Sequence, residues 1–336
     1  MDSVDNEELY EHHFFEVEKK HDLIRIDKFL LLRLPNTSRN KIQKSILSGY
    51  VFCNDKLVKA NYKIKPLDKI SIRFEYEPYN REIIPENIPL DIIFEDNDII
   101  VLNKPSNMVV HPSYGHYSGT LVHALLYKYK DIQDSVDNQR PGLVHRLDKN
   151  TTGLMVVARN SSSLNHLSNQ FSDRTINRQY LALVWGDLKN DQGTIVGNIG
   201  RNKKNRKLMT VFTDEEEGKH AVTHYKVIER FRYVTLVQCK LETGRTHQIR
   251  IHMKHIGHPL FNDLEYGGDK ILRGTTFSKY KKFIHNCFKI LPRQALHATR
   301  LSLIHPTNNK VVTFESVLPN DMTSVIDRWR NYVSNM

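Results

Sequence analysis

Asp148 stands in the stretch Gly142-Leu143-Val144-His145-Arg146-Leu147-Asp148-Lys149-Asn150-Thr151-Thr152-Gly153, a single carboxylate set among cations. Opposite charges within a few ångströms lower a carboxyl pKa, so this pattern favours an ionised group at neutral pH. Such a carboxylate can act as a nucleophile or as a base. The plainer alternative is a surface ion pair with Arg146 or Lys149. The residues that follow, Leu154-Met155-Val156-Val157-Ala158, are an apolar, β-branched run that reads as a buried strand. Asp148 is therefore expected on a loop feeding a core element, where rigid strands commonly hold catalytic side chains.

A second grouping, His247, His252, His255 and His258, suggests a metal at first sight. Its spacing is not His-Glu-x-x-His, no acid lies among the rings to orient them, and Arg245, Arg250 and Lys254 would repel a dication. No metal is expected, and a helix face that meets a polyanion explains the composition. Neither a P-loop nor a dinucleotide fingerprint occurs, so no bound cofactor is expected either.

The elements that must position these groups are mixed. The chain has 336 residues and a net charge of +11, enough length for two domains and a balance that favours a polyanionic partner. Twelve Lys or Arg against three acids lie between Arg25 and Arg73, following an acidic start, residues 1–20, read as a flexible leader. Ile26, Phe29 and Leu30 repeat at helical spacing up to Leu34-Pro35, and Thr37 or Ser38 can cap a second helix bearing Ile42 and Ile46. Short strands follow at 50–53, 56–58 and 69–74, with Asn54-Asp55 as a hairpin turn. Residues 21–76 thus form a small α/β module, residues 77–90 a proline-bearing linker, and residues 91–333 a second domain. There, strands expected at 91–94, 99–102, 180–184, 221–228, 233–241 and 311–315 mix with helices at 120–129 and 162–171 without a regular βαβ repeat. The fold class is α+β, with a mixed, largely antiparallel sheet. Residues 197–207 read as a basic loop or hairpin that either grips phosphates or is solvated. Cys53, Cys239 and Cys287 suggest reduced thiols in a cytoplasmic protein, and no apolar run is long enough for a membrane span.

The string His145-Arg146-Leu147-Asp148-Lys149-Asn150-Thr151-Thr152-Gly153 resembles the catalytic-aspartate motif of RNA pseudouridine synthases of the RluA/RluD type. Four further segments match that family in order: Asn103-Lys104-Pro105 to Pro112, Arg178-Gln179-Tyr180 to Gly186, Leu241-Glu242-Thr243-Gly244-Arg245-Thr246-His247-Gln248-Ile249-Arg250, and Arg293-Gln294-Ala295-Leu296-His297-Ala298 to Pro306. Residues 24–51 resemble the S4 RNA-binding domain.

The resemblance implies an isomerase that detaches uracil from ribose, turns it and rejoins it through C5, with no cofactor. It assigns Asp148 as the catalytic carboxylate, Tyr180 as the active-site tyrosine and Arg245 as the basic residue pairing with Asp148. It further places Arg146 at base flipping and Leu241 against the base, with His247 on the RNA-facing helix. An S4-like module would present Arg39, Lys41 and Lys44 to phosphates. The expected partner is RNA, most closely large-subunit (23S) ribosomal RNA, acted on by a monomer. Transfer RNA, an inactive ribosome-assembly factor and a hydrolase remain as alternatives.

Overall fold

The computed structural model describes residues 9–34, 37–75, 83–113, 115–130, 132, 140–212, 214 and 217–335. The chain divides into two units, Met1–Glu82 and Ile83–Met336.

The first unit contains β1 (Tyr10–Glu16), α1 (Ile26–Arg33), α2 (Arg39–Leu47), β2 (Val51–Cys53), β3 (Lys56–Leu57) and β4 (Lys69–Phe74). Both helices form where the apolar spacing places them, burying Ile26, Phe29 and Leu30 from α1 and Ile42 and Ile46 from α2. The Ser38 hydroxyl caps α2 by accepting from the Lys41 amide at 3.4 Å. Asn54 and Asp55 both have positive φ, the backbone a tight hairpin needs. The sheet order is β1-β4-β2-β3. Its first strand corrects the reading of residues 1–20 as a flexible leader, because Tyr10–Glu16 pairs antiparallel with β4 and Val17 is buried. The segment Tyr10-Glu11-His12-His13-Phe14-Phe15-Glu16 lacks clean alternation, so only the open edge of β4 reveals it as a strand. The start of that leader, residues 1–8, lies outside the described residues.

Arg39, exposed on α2, also has a partner within the unit. Its guanidinium donates to Asp27 Oδ2 at 3.1 and 3.0 Å, alongside Arg25 (3.1 Å) and Gln43 (2.8 Å). Asp27 is fully buried, so Arg39 compensates a core carboxylate and joins α2 to α1. Lys41 and Lys44 are exposed on α2. Burial would raise the Asp27 carboxyl, but hydrogen bonds from Gln43, Arg25 and Arg39 outweigh it and lower it to about 2. A depressed carboxyl stabilises the fold above its unfolded value of 3.8, and that contribution is lost as pH falls toward about 2. Asp27→Asn is therefore expected to flatten acid unfolding of this unit in that window, followed by the methyl NMR signals of Ile70 and Ile72. Superimposable acid transitions for the two proteins would count against this account.

The second unit is built on a ten-stranded sheet. Its strands are β5 (Asp91–Glu95), β6 (Ile99–Lys104), β7 (Thr152–Ala158), β8 (Asn177–Trp185), β9 (Gln192–Arg201), β10 (Met209–Phe212), β11 (Lys219–Arg230), β12 (Val234–Leu241), β13 (Leu296–Ile304) and β14 (Val311–Glu315). The order is β10-β9-β11-β12-β8-β13-β7-β6-β5, with β14 beside β13. Every pairing is antiparallel except β13 with β7, which confirms the α+β, mixed-sheet expectation. The strand read from Leu154–Ala158 is β7, buried at every position. Residues 192–212 form the hairpin β9–β10, whose turn carries the basic residues.

The helices α3 (Leu121–Lys128), α4 (Ser161–Ser172), α5 (Gln248–His255), α6 (Ser278–Ile290) and α7 (Asn320–Ser334) accompany the sheet. Tyr280 and Ile284 of α6 and Trp329 of α7 pack with Trp185 and Phe261 in one apolar cluster, holding these helices to the sheet. The linker expectation is revised in part. Ile83 is buried against Val122 and Leu126, and the Glu86 carboxylate accepts from the Gly119 amide, so residues 83–90 belong to this unit. Residues 76–82 lie outside the described residues.

Candidate active site

The Asp148 loop leads into β7, and two separate stretches of chain hold it, one around Lys104 and one from Arg293 to Ala298. Gly153 closes it in the left-handed region (φ +116°), where a Cβ would lie 2.3 Å from the Ala298 carbonyl oxygen on β13. Only glycine lets the two parallel strands approach there. Lys104, fully buried at the end of β6, donates to the carbonyls of Pro105 (2.7 Å), Met108 (3.0 Å) and Lys149 (3.1 Å). An ammonium has three donors, and all three are satisfied. Burial pushes Lys104 down to about 7, against the pull of Asp148. From the other side, Arg293 donates to the Asn150 carbonyl at 3.2 Å while gripping Asp321 at 2.7 and 2.9 Å. Gln294 reaches Thr151 at 3.3 Å, and Thr152 meets His297 Nδ1 at 2.8 Å. The segments around Lys104 and Arg293–His297 therefore act by fixing the aspartate loop.

The side chain of Asp148 is 18% exposed, too enclosed for a solvated surface pair yet open to a ligand. Its ion-pair partner corrects the sequence expectation. Arg250, on the first turn of α5, places Nη1 3.3 Å from Asp148 Oδ2. The expected partner, Arg245, lines the same cavity, but its Nε donates to the His220 carbonyl at 3.1 Å. Arg245 lies in the turn before α5 and Arg250 in its first turn, five residues on, and the helix's approach to the sheet decides between them. Arg250 is almost wholly buried, with Nε and Nη2 on Asp263 (2.7 and 2.8 Å) and Nη2 on Glu265 (2.5 Å). Burial works against its charge, but Asp263, with Asp148 and Glu265, more than offsets this and raises its pKa. The result is a rigid cation with one edge turned to Asp148.

Gln248 sets the turn before α5. It accepts from Thr243 Oγ1 (2.7 Å) and the Arg245 amide (2.9 Å), and donates to the Val222 carbonyl (2.9 Å) and Thr223 Oγ1 (3.0 Å). His247 adopts a left-handed φ of 55°, which brings Nε2 within 3.8 Å of Asp148 Oδ1. Its Nδ1 lies 2.7 Å from the Tyr266 hydroxyl. The remaining histidines of the cluster diverge. His252 meets Thr223 Oγ1, and His258 meets the Trp185 carbonyl.

Asp148, Tyr180, Leu241, Arg146, Arg245 and His247 all line one cavity of about 300 Å³, a volume suited to a single nucleoside. Tyr180 is buried on β8, paired with Cys239 of β12 and Ala298 of β13. Burial raises its phenol pKa, so it faces the cavity as a neutral ring and hydroxyl. Leu241 ends β12 as an apolar wall, and Arg146 is exposed at the cavity. Sequence reasoning missed Arg250, Lys104 and Arg178 as individual site residues, although each stood in a quoted motif. The available signal was a charged residue among apolar ones, as in Ile249-Arg250-Ile251 and Leu102-Asn103-Lys104. An ionised group in a core-facing run must have partners.

Residues 98–255 match the RNA pseudouridylate synthase family, and residues 24–70 match the S4 domain. An uncharacterized RNA pseudouridine synthase, YlyB, of Bacillus subtilis (strain 168) is 44% identical, covering 91% of this chain and 94% of its own. The ribosomal large subunit pseudouridine synthase D of Buchnera aphidicola is 42% identical over 90% of this chain and 93% of its own. Among solved structures, human RNA pseudouridylate synthase domain containing 1 is similar with a TM-score of 0.52 and 25% identity, covering 78% of this chain and 98% of its own. With a buried arginine holding a carboxylate at a nucleoside-sized cavity, and with relatives matching nearly end to end, the chain belongs to the RNA pseudouridine synthase family.

Proposed function

We propose that this enzyme converts uridine to pseudouridine in large-subunit ribosomal RNA, with Asp148 as the catalytic carboxylate. The C1′–N1 bond breaks, a C1′–C5 bond forms, the C5 proton leaves to solvent and N1 gains a proton. Asp148 serves either by attacking C1′ or by taking the C2′ proton as the base departs. Arg250 holds it in place, Tyr180 stacks on the released uracil, and Leu241 closes the apolar side of the pocket. Arg146 occupies the gap left by the flipped nucleotide, a task suited to a planar guanidinium. Arg245 and His247 complete the rim that meets RNA. The observation that carries this reading is the Asp148–Arg250 pair at a cavity shared with Tyr180. The choice of ribosomal RNA is supported by relatives named ribosomal large subunit pseudouridine synthase D.

In the same reading, exposed Lys41 and Lys44 of the S4 domain contact phosphates while Arg39 maintains that domain's core. The test offers C5-tritiated large-subunit ribosomal RNA and transfer RNA to the full chain across a salt series. Tritium release from the ribosomal RNA, without free uracil, is the expected result, and release from transfer RNA alone overturns the substrate. The Lys41→Gln, Lys44→Gln double variant should flatten the log–log salt dependence of RNA binding by roughly 1.4 to 1.8, the share of two phosphate contacts.

A further inference from the structure

We infer that His145 and Arg178 form a phosphate subsite beside Tyr180, which receives a phosphodiester flanking the flipped uridine. The inference rests on the proposed function and adds a contact to it. Both residues line the cavity that holds Asp148. Both also pack on one ring: His145 stacks on Phe171 with centroids 4.7 Å apart, and the Arg178 guanidinium carbon lies 5.2 Å from the same ring.

Their polar edges are unspent. The Val156 amide donates to His145 Nε2 at 3.0 Å, which requires a lone pair there and puts the neutral ring's proton on Nδ1. That Nδ1 is buried and has no partner. The Nε of Arg178 is likewise buried and unpartnered, and among the described residues none of its nitrogens has a hydrogen bond or ion pair. Leaving such donors unmet is costly, and native sites that do so usually await a ligand or an ordered water. The Nη groups of Arg178 are neither bonded nor buried, so the permanent charge they present to the cavity, backed by the His145 ring, calls for an oxyanion.

The backbone adds two facts. Residues 178 and 180 are two apart on β8, so their side chains share a face roughly 6–7 Å apart, the scale separating a base from its own nucleotide's phosphate. Gly244 lets the guanidinium lie close to the turn before α5, since a Cβ there would sit 3.0 Å from Arg178 Nη1. A uracil bound between Asp148 and Tyr180 therefore brings a phosphate, not its own carbonyls, to Arg178.

The experiment uses the full chain and three probes: uridine, uridine 3′-monophosphate and uridine 5′-monophosphate. The Arg178 Nε–H signal is assigned in ¹⁵N spectra by its loss in Arg178→Gln. One or both monophosphates are expected to shift it, while uridine at equal concentration leaves it in place. The pair of monophosphates identifies which phosphodiester is held. A shift equal for uridine, or none with either monophosphate, overturns the proposal. In tritium release, Arg178→Gln should lower kcat/KM about 10- to 100-fold, mainly through KM, and reduce the salt slope by about 1, with Arg178→Lys retaining most of both. A lower melting temperature with an unchanged salt slope would mark Arg178 as merely structural and also overturn it. If the wild type releases no tritium, the proposed function fails, while the monophosphate titration still decides the subsite.

Discussion

Asp148→Asn is expected to abolish pseudouridine formation, lowering tritium release by about 10⁴-fold or more, as when a catalytic nucleophile or base is removed. The substitution keeps the shape of the side chain and removes its charge. The surroundings can tolerate that change. Arg250 retains Asp263 and Glu265, and the loop remains held by Lys104, Arg293 and Gln294. The variant should therefore fold, melt within a few degrees of the wild type and still bind RNA. Residual activity within tenfold of the wild type would remove Asp148 from the chemistry and leave it as a structural ion-pair partner. A collapse of folding would instead show that its charge stabilises the loop, contrary to the network described above.

The second large effect concerns Arg250. Arg250→Met leaves Asp263, which is fully buried, without its two charge-assisted hydrogen bonds, and it leaves Asp148 without its cation. Breaking one side of a buried pair costs about 3–5 kcal/mol. For a domain of this size, each kcal/mol lowers Tm by roughly 2–4 °C. A fall on the order of 10 °C is expected, together with loss of tritium release. These two consequences separate in the double variant Arg250→Met, Asp263→Asn. Neutralising Asp263 removes the stranded charge and should recover part of the stability, but Asp148 still lacks its partner and activity stays lost. Recovery of activity along with stability would show that Arg250 only supports the fold. By contrast, Arg245→Met should leave Tm nearly unchanged, because its side chain spends one bond on an exposed backbone carbonyl.

The His145–Phe171–Arg178 wall gives the site a second charged feature distinct from the Asp148–Arg250 pair. Of the arginines lining the cavity, Arg250 is neutralised within the protein, whereas Arg178, beside Tyr180, has no ion pair among the described residues. This asymmetry fits a pocket that must hold a neutral base and an anionic strand together: the compensated arginine positions a reacting group, and the uncompensated one awaits charge from outside.

Local pattern was sufficient for much of the chain. The α1–α2 pair, the Asn54-Asp55 hairpin, the buried run of β7 and the strand pair β5–β6 follow from apolar periodicity, capping residues and turn chemistry, all of which act over a few residues. Asp148 was singled out by the family resemblance, because a carboxylate among cations before a buried strand is by itself equally compatible with a surface ion pair. Tertiary structure alone decided the partners. Arg250 rather than Arg245 meets Asp148 across 102 residues of sequence, and Arg39 pairs with Asp27 on the neighbouring helix. Tyr10–Glu16 becomes a strand only because β4 offers it an edge, and the parallel contact of β13 with β7 joins residues more than 140 positions apart. The physical reason is common to all four. Composition and spacing specify which groups carry charge and which faces are apolar, but the strength of a charge pair or a strand edge depends on separations of a few ångströms, and these are set only when distant elements pack.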